Sequence, residues 1–228
     1  MLLQNIALVS HLLPLFLFFL FFRRNNERDI RVILFYCLYS FVNDIVITHL
    51  NTTEQYTLTF ILLSAFTLIE YALFSYVLYI NIKKAIFRKL ILIISPFFIV
   101  FSIFQFLRSA GNGIDSISIT VEYILLIIYC LFYFFDELIE PNATFIYATY
   151  KFWILVAILI YSTGTFFLFL QSSDLTPEEW NKWSIINHLC TIAKTAFFSV
   201  AVIMRKEPQE NHFFDVDADH LFENHYKP

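Results

Sequence analysis

Glycine, charge and signature-bearing loops are what this sequence has least of. Only three of its 228 residues are glycine, and 15% are Asp, Glu, Lys or Arg, against about one quarter in a soluble domain. Gly111, Gly113 and Gly164 leave nothing to cradle a phosphate, and the chain contains no P-loop, no GxSxG and no HExxH. An enzyme is not expected, and no cofactor is implied. The net charge is −4 and the 15 basic residues lie in small groups between apolar runs, so the footprint that nucleic acid requires is missing. Cys37, Cys130 and Cys190 fall inside apolar stretches without CxxC spacing. They read as packing or lipid-facing residues and say nothing about redox compartment.

What the chain has instead is apolar and aromatic mass. It is 59% hydrophobic, and its 29 Phe and 13 Tyr exceed what one soluble core can hold. Lipid must be the solvent for much of its surface. A membrane span needs about 20 mostly apolar residues to cross about 30 Å of hydrocarbon. Seven segments qualify, at 3–22, 32–49, 57–81, 90–107, 116–135, 152–170 and 184–204. None alternates as a barrel strand does. The first is expected to stay in the mature protein, because Arg23 and Arg24 follow its apolar run and no small-residue cleavage site precedes them. The fold class is therefore all-α, a polytopic membrane protein of seven helices. Residues 1–206 form one membrane domain and 207–228 an acidic tail expected to be disordered.

Basic residues in short loops favour the cytoplasmic side. Arg23, Arg24, Arg28 and Arg31 lie between spans one and two, Lys83, Lys84, Arg88 and Lys89 between three and four, and Lys151 between five and six. Arg205, Lys206 and Lys227 follow span seven, and only Arg108 and Lys182 fall on the other side. This bias predicts an outside amino terminus and a cytoplasmic tail, in a bacterial inner membrane.

Ionisable groups inside a span cost about 2.5–3.5 kcal/mol on insertion scales and usually face a bundle interior or a wet cavity. Asp44 lies 13 positions from Arg31, Glu70 lies 13 from Lys83, Lys194 lies 11 from Arg205, and Glu122 lies 14 from Asp136. At about 1.5 Å per residue, all four are expected in one layer about 16 to 21 Å above the cytoplasmic edge. Thr163, in the run Tyr161 to Thr165, is expected at a similar height, with Gly164 permitting a bend or a close helix approach. Helical spacing puts Asn187, Thr191, Lys194 and Thr195 on one face of span seven, with His188 beside them. Thr67, Glu70 and Tyr71 share a face of span three, and Ser118 and Glu122 share one of span five. The expected site is an outward pocket with Asn187 and His188 near its mouth and Glu70 or Lys194 at its floor. Three acids and one amine cannot pair one to one, so an acid carries a proton or a guest supplies positive charge. A Lys194 ion pair with Glu70 or Glu122 that only fixes helix packing is the competing reading.

Ile69 to Leu73 (IEYAL) matches Val121 to Leu125 (VEYIL), a short local duplication. In the tail, DVDAD from Asp215 resembles the start of a calcium loop, but His220 and Tyr226 stand where an EF-hand needs glycine and a carboxylate. No metal site is expected. The N-x-T sequons at Asn51 and Asn142 fall on opposite sides of the predicted topology and carry no weight.

With Glu70, the stretch Asp115 to Glu122, Phe152 to Ile154, Tyr161 to Phe167 and Trp183 to His188 in view, the chain resembles a group of seven-helix inner-membrane proteins of Bacteroidota-type bacteria. These occur alone or ahead of a histidine-kinase module. The resemblance spans nearly all seven helices and implies a sensory or signalling module without assigning any residue a role. No output domain follows span seven in this sequence, so the resemblance leads to the expectation of a cytoplasmic signalling protein as partner, beside the bilayer and a small polar ligand. A span-seven lysine with a span-three acid also resembles the retinal proteins. That likeness ends at those two residues, because Trp153, Trp180 and Trp183 lie near span ends as interface anchors. The functional expectation is a receptor-like module, and the alternative is a proton-coupled transporter of small solutes.

Overall fold

Hydrocarbon offers no water to a free peptide group, so an apolar chain must satisfy its backbone internally. The structure, a computed structural model, describes residues 2–21, 27–109, 115–139, 146–171 and 177–204, and among these the regular structure is entirely helical. The helices are α1 (Leu2–Ser10), α2 (Leu12–Phe21), α3 (Arg28–Thr52), α4 (Tyr56–Asn81), α5 (Ala85–Ser109), α6 (Ser116–Ile139), α7 (Tyr150–Gln171) and α8 (Pro177–Ile203), with a short 3-10 turn at Ile146–Ala148. Counting α1 and α2 as one span, seven spans are long and apolar enough to cross a membrane. The chain is a multi-pass, all-helical membrane protein. The expected tail, the DVDAD run and the Asn142 sequon lie outside the described residues.

The seven expected segments all fall on helices, and the first departs from expectation. A single helix over 3–22 is broken at His11. Pro14 has no N–H to give the Ser10 carbonyl, and its ring crowds that carbonyl. The turn tightens instead, with the His11 N–H on the Leu8 carbonyl at 3.4 Å and Ser10 Oγ donating to the Ala7 carbonyl at 2.6 Å.

Each helix buries the face its spacing dictates. On α3 the buried residues Asp29, Ile33, Tyr36, Ser40 and Asn43 recur every three or four positions, while Phe35, Leu38, Val42 and Val46 point outward. Side chains such as Phe19 and Phe97, 80% and 73% exposed, would be untenable in water and are ordinary against lipid. The most enclosed span is α6, and the least enclosed are α5 and the first span. The centre is aromatic: the Tyr36 and Phe74 rings lie 4.5 Å apart, and Phe198 stands 6.3 Å from each. A run of buried hydroxyls ties α4, α5 and α6, with Tyr71 Oη 3.0 Å from Ser95 Oγ and 3.2 Å from Tyr129 Oη.

At the basic end, α6 organises the start of α5. The Asp136 carboxylate accepts the Lys83 and Lys84 N–H groups at 2.6 and 2.9 Å, while Lys83 Nζ lies 3.3 Å from Glu137. A residue distant in sequence thus satisfies donors that a local cap would otherwise take. At the other end α3 stops in a Schellman turn. The Gln55 N–H reaches the Leu50 carbonyl at 3.0 Å and the Glu54 N–H reaches Asn51 at 3.3 Å. Glu54 itself holds φ 57°, the left-handed region that glycine occupies without cost. Glu54→Gly is expected to stabilise the protein by about 1 kcal/mol in thermal unfolding of the purified chain. A destabilised variant would show that this turn is not left-handed.

The α7–α8 pair is the most extensive helix contact among the described residues. Gly164 makes it possible, because a Cβ there would run into Cys190 Sγ, whereas Cys190 Cβ stays at 3.6 Å. This bears out the close approach expected at Gly164. Gly164→Ala should cost about 1–3 kcal/mol by overpacking, and adding Cys190→Ala should restore most of it. Equal losses in both backgrounds, measured by thermal unfolding, would rule out the close contact.

Candidate functional site

A cavity of about 650 Å³ lies between α1, α3, α4, α6, α7 and α8. Gln4 and Asn5 from the start of α1 and His49 and Thr52 from the end of α3 line its mouth, while Glu70, Tyr161 and Lys194, deep within their helices, line its floor. Its volume falls in the range of small-molecule sites, about 300–1,000 Å³.

The floor is an ionic junction between three helices. Tyr36 lies on the buried stripe of α3, Glu70 follows Thr67 by one turn on α4, and Lys194 follows Thr191 on α8. Lys194 Nζ donates to the Tyr36 hydroxyl, Tyr36 donates to Glu70 Oε1 at 2.6 Å, and Lys194 Nζ stands 3.7 Å from the same oxygen. The ammonium also sits 3.2 Å from the centre of the Tyr161 ring and 4.8 and 5.9 Å from those of Tyr36 and Phe74. Lys194 and Glu70 are 1% and 2% exposed, so their charges are balanced by each other and by the rings rather than by solvent. Of the two partners open for Lys194, the structure selects Glu70.

Nearer the mouth a second polar group forms around Asp44. Its carboxylate lies 3.5 Å from His11 Nε2, which is also 3.4 Å from Ser40 Oγ. His11 is 1% exposed and the Asp44 side chain 45%. Asn187, Thr191 and His188, placed here by the spacing of span seven, complete this level together with Asn43. His188 is half-buried, and Asn187 Oδ1 has no hydrogen-bond partner among the described residues.

The expected single layer is therefore two levels. Arg31 lies inside α3, three residues past its start, whereas Lys83 lies beyond the end of α4, so equal counts from them mark unequal depths. Asp44 stands eight residues, about 12 Å, farther along α3 than Tyr36.

Glu122 is wholly buried and does not line the cavity, although Ile119 and Tyr123 on the same face do. Neither of its carboxylate oxygens has a hydrogen-bond partner among the described residues. Tyr123 and Tyr161, joined hydroxyl to hydroxyl at 3.3 Å, form that wall of the cavity. The two Glu-Tyr pairs of the duplication thus have different surroundings, one paired and one not. Ser118 shares the buried face with Glu122, as expected, and bonds Asp115 through its N–H at 3.2 Å and through its hydroxyl, closing the first turn of α6. Thr163 is not brought to the site. It is exposed on α7 with its hydroxyl on the Leu159 carbonyl at 2.7 Å, because Tyr161, Ser162 and Thr165 occupy the buried face.

His11, Tyr36 and Ser40 are site residues that the sequence reading did not single out, whereas Tyr161 lies in the span-six run expected at this height. His11 carried a signal, an imidazole within an apolar run three residues before a proline, whereas a tyrosine among 13 carried none. Among the described residues no group of three or more His, Cys, Asp or Glu is placed to hold a metal ion. No family model, curated protein or solved structure matches the chain.

Because Lys194 and Glu70 balance each other, removing either one strands the other. Lys194→Met and Glu70→Gln are each expected to cost about 3–5 kcal/mol in thermal unfolding, and the double variant less than either. Additive losses would show that the two charges do not depend on one another.

Proposed function

We propose that the chain is a receptor-like inner-membrane protein that binds a small polar ligand in this cavity and signals occupancy at its opposite, cytoplasmic face to a partner protein. One observation carries the reading: the cavity ends on the Lys194–Tyr36–Glu70 junction, which joins α8, α3 and α4. A guest that prefers one arrangement of that junction shifts the balance between helix arrangements by its difference in affinity for the two. The bias of Lys and Arg towards the end opposite the mouth supports an outward-facing cavity.

Proton-coupled transport is the second reading, and Glu122 favours it. A buried carboxyl without hydrogen-bond partners, beside the Tyr123–Tyr161 wall, has the character of an intramembrane proton carrier. Native mass spectrometry of the chain extracted gently from its own membrane decides between them. A retained solute and a co-purifying cytoplasmic protein are expected, with the solute weakened in Glu70→Gln and Lys194→Gln while both still insert. Solute flux in liposomes that is abolished by Glu122→Gln would replace the receptor reading with transport.

A further inference from the structure

Charge in the cavity is unevenly neutralised, and this bears on what the cavity accepts. Among the described residues that line the cavity Lys194 is the only Lys or Arg, and it is already engaged. Its ammonium holds Tyr36 and Glu70, lies against the Tyr161 face and is 1% exposed, so an anionic guest finds no free cation on the floor. Glu70 is neutralised by the same contact.

Asp44 is in the opposite state. Nearly half of its side chain is uncovered, and the nearest charge-bearing partner is His11 at 3.5 Å. That separation exceeds the roughly 2.7–2.9 Å of a well-formed charge-assisted hydrogen bond. His11 is buried, lines the cavity and leaves Nδ1 without a partner among the described residues, and Asn187 Oδ1 is likewise a vacant acceptor on the α8 side. The polar groups around the cavity therefore include a half-exposed carboxylate, held by a single long contact, and an unpartnered amide oxygen; both accept N–H donors, and the carboxylate also favours a positive charge.

Phe66, Phe169, Tyr123 and Tyr161 supply aromatic surface on the same cavity, suited to an organic body and to the face of a cation. A bare divalent ion would need a cluster of ligands that the described residues do not provide. The volume of about 650 Å³ likewise suits an organic molecule better than a naked ion.

We infer that the ligand is an organic ammonium, a primary or secondary amine on an apolar or aromatic body, with its charged nitrogen on Asp44 and its body against the ring-lined wall. This assignment rests on the reading of the cavity as a ligand site and adds the chemical class and the anchoring residue. Lys194 and Glu70 then form the floor against which the guest presses rather than its anchor.

The test uses the full chain in lipid nanodiscs and three sets of probes matched in shape: alkyl- and arylalkylamines up to phenethylamine, the corresponding alcohols, and the corresponding carboxylates. Binding is read by saturation-transfer NMR and by thermal shift. Amines are expected to bind at least tenfold more tightly than their alcohols, and carboxylates not to compete. Asp44→Asn should erase the amine preference, and Asp44→Glu should retain part of it. Unfolding of each variant without probe controls for loss of structure. Alcohols or carboxylates binding as well as amines would overturn the ammonium assignment and leave the ligand site standing. Binding by none of the three sets, with no solute retained on extraction, would remove both.

Discussion

A lysine ammonium held deep within an apolar bundle must find its counter-charge and its acceptors inside the protein, and this requirement bears on how four helices meet. Lys194 meets it with Glu70, the Tyr36 hydroxyl and the face of Tyr161, drawing on α4, α3 and α7 from its place on α8. In water the same groups would scatter and solvate separately. Here the cost of leaving either charge alone exceeds that of holding the helices together, so the junction acts as a register mark for the bundle. The aromatic centre of Tyr36, Phe74 and Phe198 packs beside it.

The first span does not continue as one helix, and it is its first part and the break at His11 that line the cavity. Pro14 breaks it at His11, and α1 then brings Gln4, Asn5 and His11 to the side of α3 and α8 that the floor leaves open. The same break gives Asp44 its imidazole partner. A local backbone rule thereby determines the chemistry of the mouth, while the ionic junction determines that of the floor. Glu122 stands apart from both, a carboxyl that neither packing nor charge pairing explains and that the Tyr123–Tyr161 wall separates from the open space.

Much of this was legible in advance, for physical reasons that differ from residue to residue. Glu70, Asn187, His188 and Lys194 were recognisable because an ionisable or amide group in a lipid-solvated helix has to face inward, and helical spacing states which groups face inward together. Gly164 was recognisable as a point of close approach because a span with one glycine has one place where backbones can meet. Tyr36 was not, since tyrosine is as much at home against lipid or at the interface as in a polar junction. Thr163 was misplaced because the five adjacent hydroxyl-bearing or small residues from Tyr161 to Thr165 cannot all face inward on a helix, and the sequence alone did not say which would. The common depth assigned to the acids failed for a similar reason: a basic residue marks a membrane edge only to within the distance by which its helix overshoots that edge.

The sequence by itself determined the class of fold, the number of spans and the inward faces of most of them. These follow from one property, the free energy of placing a side chain or a peptide group in hydrocarbon, which is local and additive along the chain. Only the tertiary structure decided that Lys194 pairs with Glu70 and not with Glu122, that Asp44 meets His11, and that one cavity is lined by both levels. Those outcomes depend on which helix lies beside which and at what height. Pair contacts of a few ångströms are set by the packing of all seven spans at once, and no stretch of the chain encodes them alone.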